Sequence, residues 1–236
     1  MATPVKVFIA LPVMRLMHPR MVNSFMSAIH SAQNIHPMLH WHEGDTLIAR
    51  VRNNQTTHFY DNTDCEWYIH LSDDIELHNI TADDNTFNRL IDSGKKFIGG
   101  IYRPSADCPN RCTSAMLTNE PIVPMSGPRR VKWLSGGLWC VHRSVMTAVR
   151  KAYPDLWYNG DGDLADRMIF GWFNEYIYTV DGRRKFFSED YAACQRYLDI
   201  GGEIWADTNL MLTHWGWKGY DLFEPVTAAD AKKEGE

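Results

Sequence analysis

Residues 67–77 read WYIHLSDDIEL, an apolar, strand-like run that ends on Asp73, Asp74 and, two positions on, Glu76. Three carboxylates this close repel one another, and none leaves water cheaply unless a cation or hydrogen-bond donors answer it. Such a turn is either solvated or the seat of a hard divalent cation, which takes oxygen ligands and keeps open positions for phosphate or water. A second pair of acids, Glu189 and Asp190, stands in the run SEDY at a predicted helix start. There it either complements the helix dipole or supplies a general base. Late in the chain His214 precedes Trp215, Gly216 and Trp217, and its imidazole is a cation ligand or a packing ring. Two weaker sets compete. His40 and His42 share a strand face beside Glu43, with no further ligand indicated, and Cys108 and Cys112 lack a second pair at zinc spacing.

The elements that must position these groups alternate. VKVFIAL (residues 5–11) predicts a strand, and Pro19 opens a helix toward Gln33. MLHWHE predicts a second strand, Asp45 caps a helix running through Arg50 to Tyr60, and WYIHLS is the third strand. Asp83 or Asp84 caps a helix that stops at Gly94, and residues 96–103 form a fourth strand. This alternation implies an α/β fold whose central sheet is mostly parallel and flanked by helices. Beyond it, residues 104–128 read as a long loop. VKWLSGGLWCVHR reads as two extended segments around Gly136 and Gly137, followed by a helix capped by Ser144. Residues 155–182 are expected to form a mobile flap, Ser188 to cap a helix through Tyr197, and two short strands to reach His214. In an open α/β sheet ligands bind beyond the carboxyl ends of the strands, where Asp73 and Asp74 fall.

This ordered set, the acidic turn, Gly136-Gly137, SEDY and THWGW, resembles nucleotide-sugar glycosyltransferases of the GT-A fold, including small single-domain viral and phage enzymes. The resemblance runs from about Val5 to Tyr220 and implies a Rossmann-like domain over residues 1–224, with 225–236 a frayed tail. In that family an Asp-x-Asp motif holds manganese or magnesium against the donor diphosphate. Here Ser72 replaces its first acid, which makes Asp74 the expected metal ligand, with Asp73 contributing to donor binding. The same resemblance makes His214 the second metal ligand, Asp190 the catalytic base of an inverting transfer and Glu189 the alternative base. It assigns donor contacts to Pro12 and Val13 at the end of the first strand, and to Arg52, Gly136, Gly137, Trp215 and Lys218.

The implied activity is metal-dependent transfer of a sugar from a nucleotide donor, a UDP-sugar, to the hydroxyl of a glycan or other acceptor. The runners-up are the same chemistry on hydroxymethylpyrimidine in DNA, and a non-catalytic nucleotide-sugar or glycan-binding module. A net charge of -5 gives no overall basic field for nucleic acid, although Arg183, Arg184 and Lys185 form a local patch. No stretch approaches the ~20 apolar residues of a membrane span, and no signal peptide is visible, so a cytoplasmic protein is expected. Five cysteines show no disulfide framework.

Overall fold

The computed structural model describes residues 3–14, 16–104, 112–117, 125–180, 182–216 and 219–221. The first strand, β1 (Val5–Val13), is buried on both faces from Val7 onward. Alternation splits it: Val7, Ile9 and Leu11 enter one core, Phe8 and Ala10 the other. Pro19 begins α1 (Pro19–Ser31), whose Met21, Phe25 and Ala28 recur at helical spacing and fill the first core. Edge strand β2 (Ile35–Glu43) lies parallel to β1 and leads to α2 (Ile48–Asn62). Asp45 accepts the Leu47 N–H at 2.9 Å and pairs with Arg50, which fastens the start of α2 from two positions before its N-cap. Then β3 (Trp67–Leu71) returns beside β1, fully buried, and β4 (Ile75–Leu77) leaves the sheet.

The next helix, α3 (Thr86–Asp92), is capped by Asn85, whose side chain accepts from the N–H groups of Phe87 and Asn88. This corrects the expectation of Asp83 or Asp84; Asp84 instead pairs with Arg89. The fourth strand shrinks to β5 (Phe97–Gly99), and at Gly100, just beyond it, a Cβ would collide with Leu212. Short β6 (Ala115–Met116) and β7 (Pro128–Trp133) precede β8 (Leu138–His142), so the two extended segments around the glycines are both present. His142, not Ser144, caps α4 (Arg143–Ala152), its ring nitrogen accepting the Ser144 N–H at 3.2 Å.

Residues 155–182 are packed elements rather than the expected flap. Here β9 (Trp157–Asn159) pairs with β10 (Met168–Phe170), and Trp172 and Phe173 are buried in the core. The aromatic density that suggested a mobile surface is what anchors it. A hairpin of β11 (Tyr176–Val180) and β12 (Arg183–Phe187) runs into α5 (Glu189–Asp199). The chain then forms β13 (Ile204–Asp207), β14 (Leu212–Trp215) and β15 (Gly219–Asp221).

The eight-stranded sheet has the order β2-β1-β3-β8-β5-β13-β7-β6. Its pairings leave β8 and β7 running against the other six strands, so the sheet is mostly parallel in direction, as expected. One face is covered by α1 and α3, the other by α2, α4 and α5. A separate three-stranded sheet, β15-β14-β4, carries the last strand across to the turn after β3. Among the described residues no helix is long and apolar enough to cross a membrane.

Candidate functional site at the carboxyl end of β3

The acidic turn is held by three neighbouring segments. The Asp73 carbonyl accepts the N–H of His18 at 2.8 Å, the Asp74 carbonyl accepts that of Trp215 at 2.8 Å, and the Ser72 N–H donates to Gly137 at 2.9 Å. Ser72 also explains its own departure from the acidic pattern. Its hydroxyl donates to the Gly136 carbonyl at 3.2 Å, and an ionised carboxylate, which can only accept, has no place against that oxygen. Asp73 is partly buried, and burial first, then the neighbouring Asp74 charge, raises its pKa against a stabilising hydrogen bond from the Met14 backbone. Through Met14 the acid is tied to the end of β1, where Pro12 and Val13 pair in register with His42 and Glu43.

Asp74 meets His214 directly. His214 Nε2 lies 3.1 Å from Asp74 Oδ2, and its Nδ1 lies 3.0 Å from the Arg103 carbonyl. A carbonyl only accepts, so Nδ1 carries a proton and the other nitrogen of a neutral ring turns its lone pair toward a carboxylate. That juxtaposition requires a proton or a cation between them. Burial opposes the proton, but the hydrogen bond and charge of Asp74 outweigh it and raise the His214 pKa. The donor set suits a metal as well: one carboxylate, one imidazole, and a carbonyl that fixes the imidazole tautomer from behind. Two ligands about 2.1 Å from an octahedral ion and at right angles lie about 3 Å apart, which matches the pair. Among the described residues no three His, Cys, Asp or Glu side chains converge, so Asp74 and His214 would supply only part of a coordination shell.

Trp215 is fixed on three sides. Its indole N–H donates to Glu76 at 2.8 Å, its ring stacks on His18 at 4.6 Å, and Arg20 stands over it at 5.2 Å. The first two partners, His18 and Glu76, went unassigned in the sequence; their signals were a histidine immediately before the Pro19 helix start and the third acid of the turn. Trp217 and Lys218 lie outside the described residues, as does the expected tail at 225–236.

The second group gathers around Gly136. Arg52, with 4% of its surface exposed, donates to Glu189 and to the Gly136 carbonyl, both at 2.8 Å. It therefore braces the start of α5 against the Gly136 turn. The glycines are likewise explained by protein packing: a Cβ on Gly136 would strike the Arg52 guanidinium, and one on Gly137 the Tyr102 ring. Asp190 accepts the Gly136 N–H at 3.1 Å and the Tyr191 N–H at 2.7 Å. The Ser188 hydroxyl, expected to cap the helix, donates to the same carboxylate. Burial raises the Glu189 pKa, with the Arg52 charge opposing and Asp190 assisting. Ser72 and Arg52 share the Gly136 carbonyl, so the acidic turn and the paired acids of α5 are one hydrogen-bonded unit.

A cavity of about 960 Å³ lies elsewhere, between α2 and β2, with His40, His42, His58 and Tyr158 in its wall. Glu43 is not part of it, and the competing His40–His42–Glu43 centre therefore has no third member there. Of the tryptophans, Trp139 and Trp172 are core residues, and Trp215 alone among the eight described stands at the acidic turn.

The arrangement defines a Rossmann-like α/β fold, with its polar residues assembled where such sheets bind ligands. Among solved structures the chain is similar in fold to A197 from STIV, with a TM-score of 0.56 at 11% identity, covering 94% of this chain and 97% of that one. Two further structures match more distantly. One is described as a glucose-1-phosphate thymidylyltransferase from Bacillus anthracis in complex with a sucrose (TM-score 0.39, 10% identity, 62% of this chain and 75% of that one). The other is 4-diphosphocytidyl-2C-methyl-D-erythritol synthase from Anaerococcus prevotii (TM-score 0.34, 8% identity, 69% and 82%). No protein-family description and no curated protein sequence matches this chain.

Proposed function

We propose that the protein is a metal-dependent glycosyltransferase that moves a sugar from a nucleotide-sugar, a UDP-sugar, to an acceptor hydroxyl with inversion. The observation that carries this reading is the Asp74–His214 pair, 3.1 Å apart with the imidazole oriented by a carbonyl, joined through Gly136 to two carboxylates at a helix start. Manganese or magnesium, when bound, would neutralise the charge that grows on the departing nucleoside diphosphate. Asp74 and His214 would hold it, and Asp73 and Trp215 would border the donor. Asp190, whose carboxylate is fixed by donors from Gly136, Tyr191 and Ser188, would take the acceptor proton, with Glu189 held beside it by Arg52. Inversion follows from one displacement in which the proton leaves the acceptor as its oxygen attacks the sugar.

A thermal-shift screen of UDP-, dTDP-, GDP- and CDP-sugars with manganese or with chelator tests this reading. A bound donor stabilises the fold by mass action. One donor class should raise the melting temperature with manganese only; equal stabilisation in chelator would remove the metal from the reading.

A further inference from the structure

The cavity of about 960 Å³ between α2 and β2 shares no wall residue with the acidic turn or with the paired acids of α5. Its volume falls within the about 300–1,000 Å³ of ligand pockets. The β9–β10 segment closes its third side and is pinned to α2: the Phe170 N–H donates to the Thr57 hydroxyl at 3.0 Å, and the Phe173 N–H to the Asn53 side chain at 2.8 Å. The walls are therefore set before any ligand arrives. Part of their charge is already answered, because Arg50 holds Asp45 at two points and Arg150 pairs with Asp61. What is left free is balanced. Asp161 and Arg167 make no ion pair among the described residues, and the side-chain amides of Asn54 and Asn62 make no hydrogen bond among them. His40 and His58 stand ring to ring at 4.8 Å, and burial, joined at His58 by the Arg167 charge, keeps both neutral at pH 7. The Tyr158 hydroxyl accepts from Asn53 at 3.4 Å and keeps its own proton to give.

We propose that this cavity is a binding site for a neutral oligosaccharide, separate from the site at the end of β3. The hydrogen-bonding groups of the wall select that ligand. Asp161 only accepts and Arg167 only donates, while each neutral imidazole and each amide does both. A phosphate or carboxylate, which only accepts, would satisfy Arg167 and be repelled by Asp161; an amine has the reverse fault. A hydroxyl both donates and accepts, so a row of hydroxyls answers all of these groups at once, and the carbon framework that carries them covers Tyr158 and Met168. A metal ion has no seat here, since no three His, Cys, Asp or Glu side chains converge among the described residues. The inference does not rest on the transferase reading, because the cavity wall contains neither Asp74, His214 nor Asp190.

The test is saturation-transfer magnetic resonance of the full-length protein, without metal or nucleotide, against maltotriose, cellotriose, mannotriose and chitotriose, with inorganic phosphate and UDP as competitors. At least one trisaccharide should bind saturably, with an affinity that high salt leaves unchanged, as for an uncharged ligand, and that neither competitor lowers. Arg167→Ala, at an exposed position, and His58→Phe, which keeps a ring while removing both nitrogens, should each weaken binding on the order of tenfold. Unchanged melting temperatures check that both variants fold. No binding by any of the four sugars, displacement of the bound sugar by phosphate or UDP, or binding that both variants leave at wild-type strength would overturn the proposal. Each of these results leaves manganese-dependent donor binding untouched, so the two readings fall separately.

Discussion

His214 shows how one orienting contact turns a common residue into a specific one. Because its Nδ1 is committed to the Arg103 carbonyl, its other nitrogen has no role but to share a proton or a cation with Asp74. Asp74→Asn keeps the shape while removing the charge. It should weaken manganese-dependent UDP binding at least as much as the ten- to hundredfold typical of losing an outer-shell partner, with little change in melting temperature, since this side chain is 39% exposed. Calorimetric titration with and without manganese checks both halves. The paired acids separate in the same way. Asp190→Asn should leave UDP affinity intact and lower the transfer rate about a hundred- to ten-thousandfold, whereas Glu189→Gln should act more weakly and mainly through Arg52. Equal losses in the two variants, measured by single-turnover transfer, would assign the proton transfer to neither acid alone. These residues stood out in the sequence because charged side chains at the ends of strands and helices carry their own cost. The orienting partners were not: Arg103 acts through its carbonyl, and no side-chain pattern records that.

Among the elements, strands were read best and helix starts worst. Continuous apolar runs such as VKVFIAL have few alternatives, and β1, β2, β3 and β8 fell where their patterns set them. Caps are decided by which side chain reaches a free N–H, so Asn85 displaced two neighbouring aspartates and His142 displaced Ser144. The stretch 155–182 misled because aromatics and glycines look alike in a flap and in a packed lobe; Trp172 and Phe173 settle it by facing inward. Gly136 was noticed as a glycine that lets a neighbour come close, and the neighbour the structure puts there is the Arg52 guanidinium. Since a Cβ there would collide with the Arg52 guanidinium, Gly136→Ala should cost about 1–3 kcal/mol in urea unfolding and slow transfer by displacing Glu189. A stability loss with an unchanged rate would mean that Arg52 is structural only.

At the scale of the whole molecule the sheet unites both halves of the chain, with β8 and β13 set beside strands from the first half and β7 paired beyond β13. Alternating strands and helices made the first half readable, but the antiparallel insertions depend on long-range pairing that local periodicity does not encode. Four histidines packed into this body have depressed pKa values, chiefly by burial: His40 to about 4, His58 and His142 below the ordinary range, and His70 well below it. Unfolded, each binds a proton near pH 6.5, so the unfolded state takes up more protons below that value. Stability should thus be fully present above about pH 6.5 and fall as pH drops toward 4, and His40→Gln should flatten that fall in melting-temperature scans. The central question remains whether the turn after β3 and the last strand hold a cation together. Pulsed electron paramagnetic resonance of manganese bound with UDP answers it most directly. A nitrogen coupling from one imidazole, present in the wild type and lost in His214→Ala, is the expected result. A spectrum without nitrogen coupling, or one that His214→Ala leaves unchanged, would contradict the assignment of His214 and Asp74 as the metal seat.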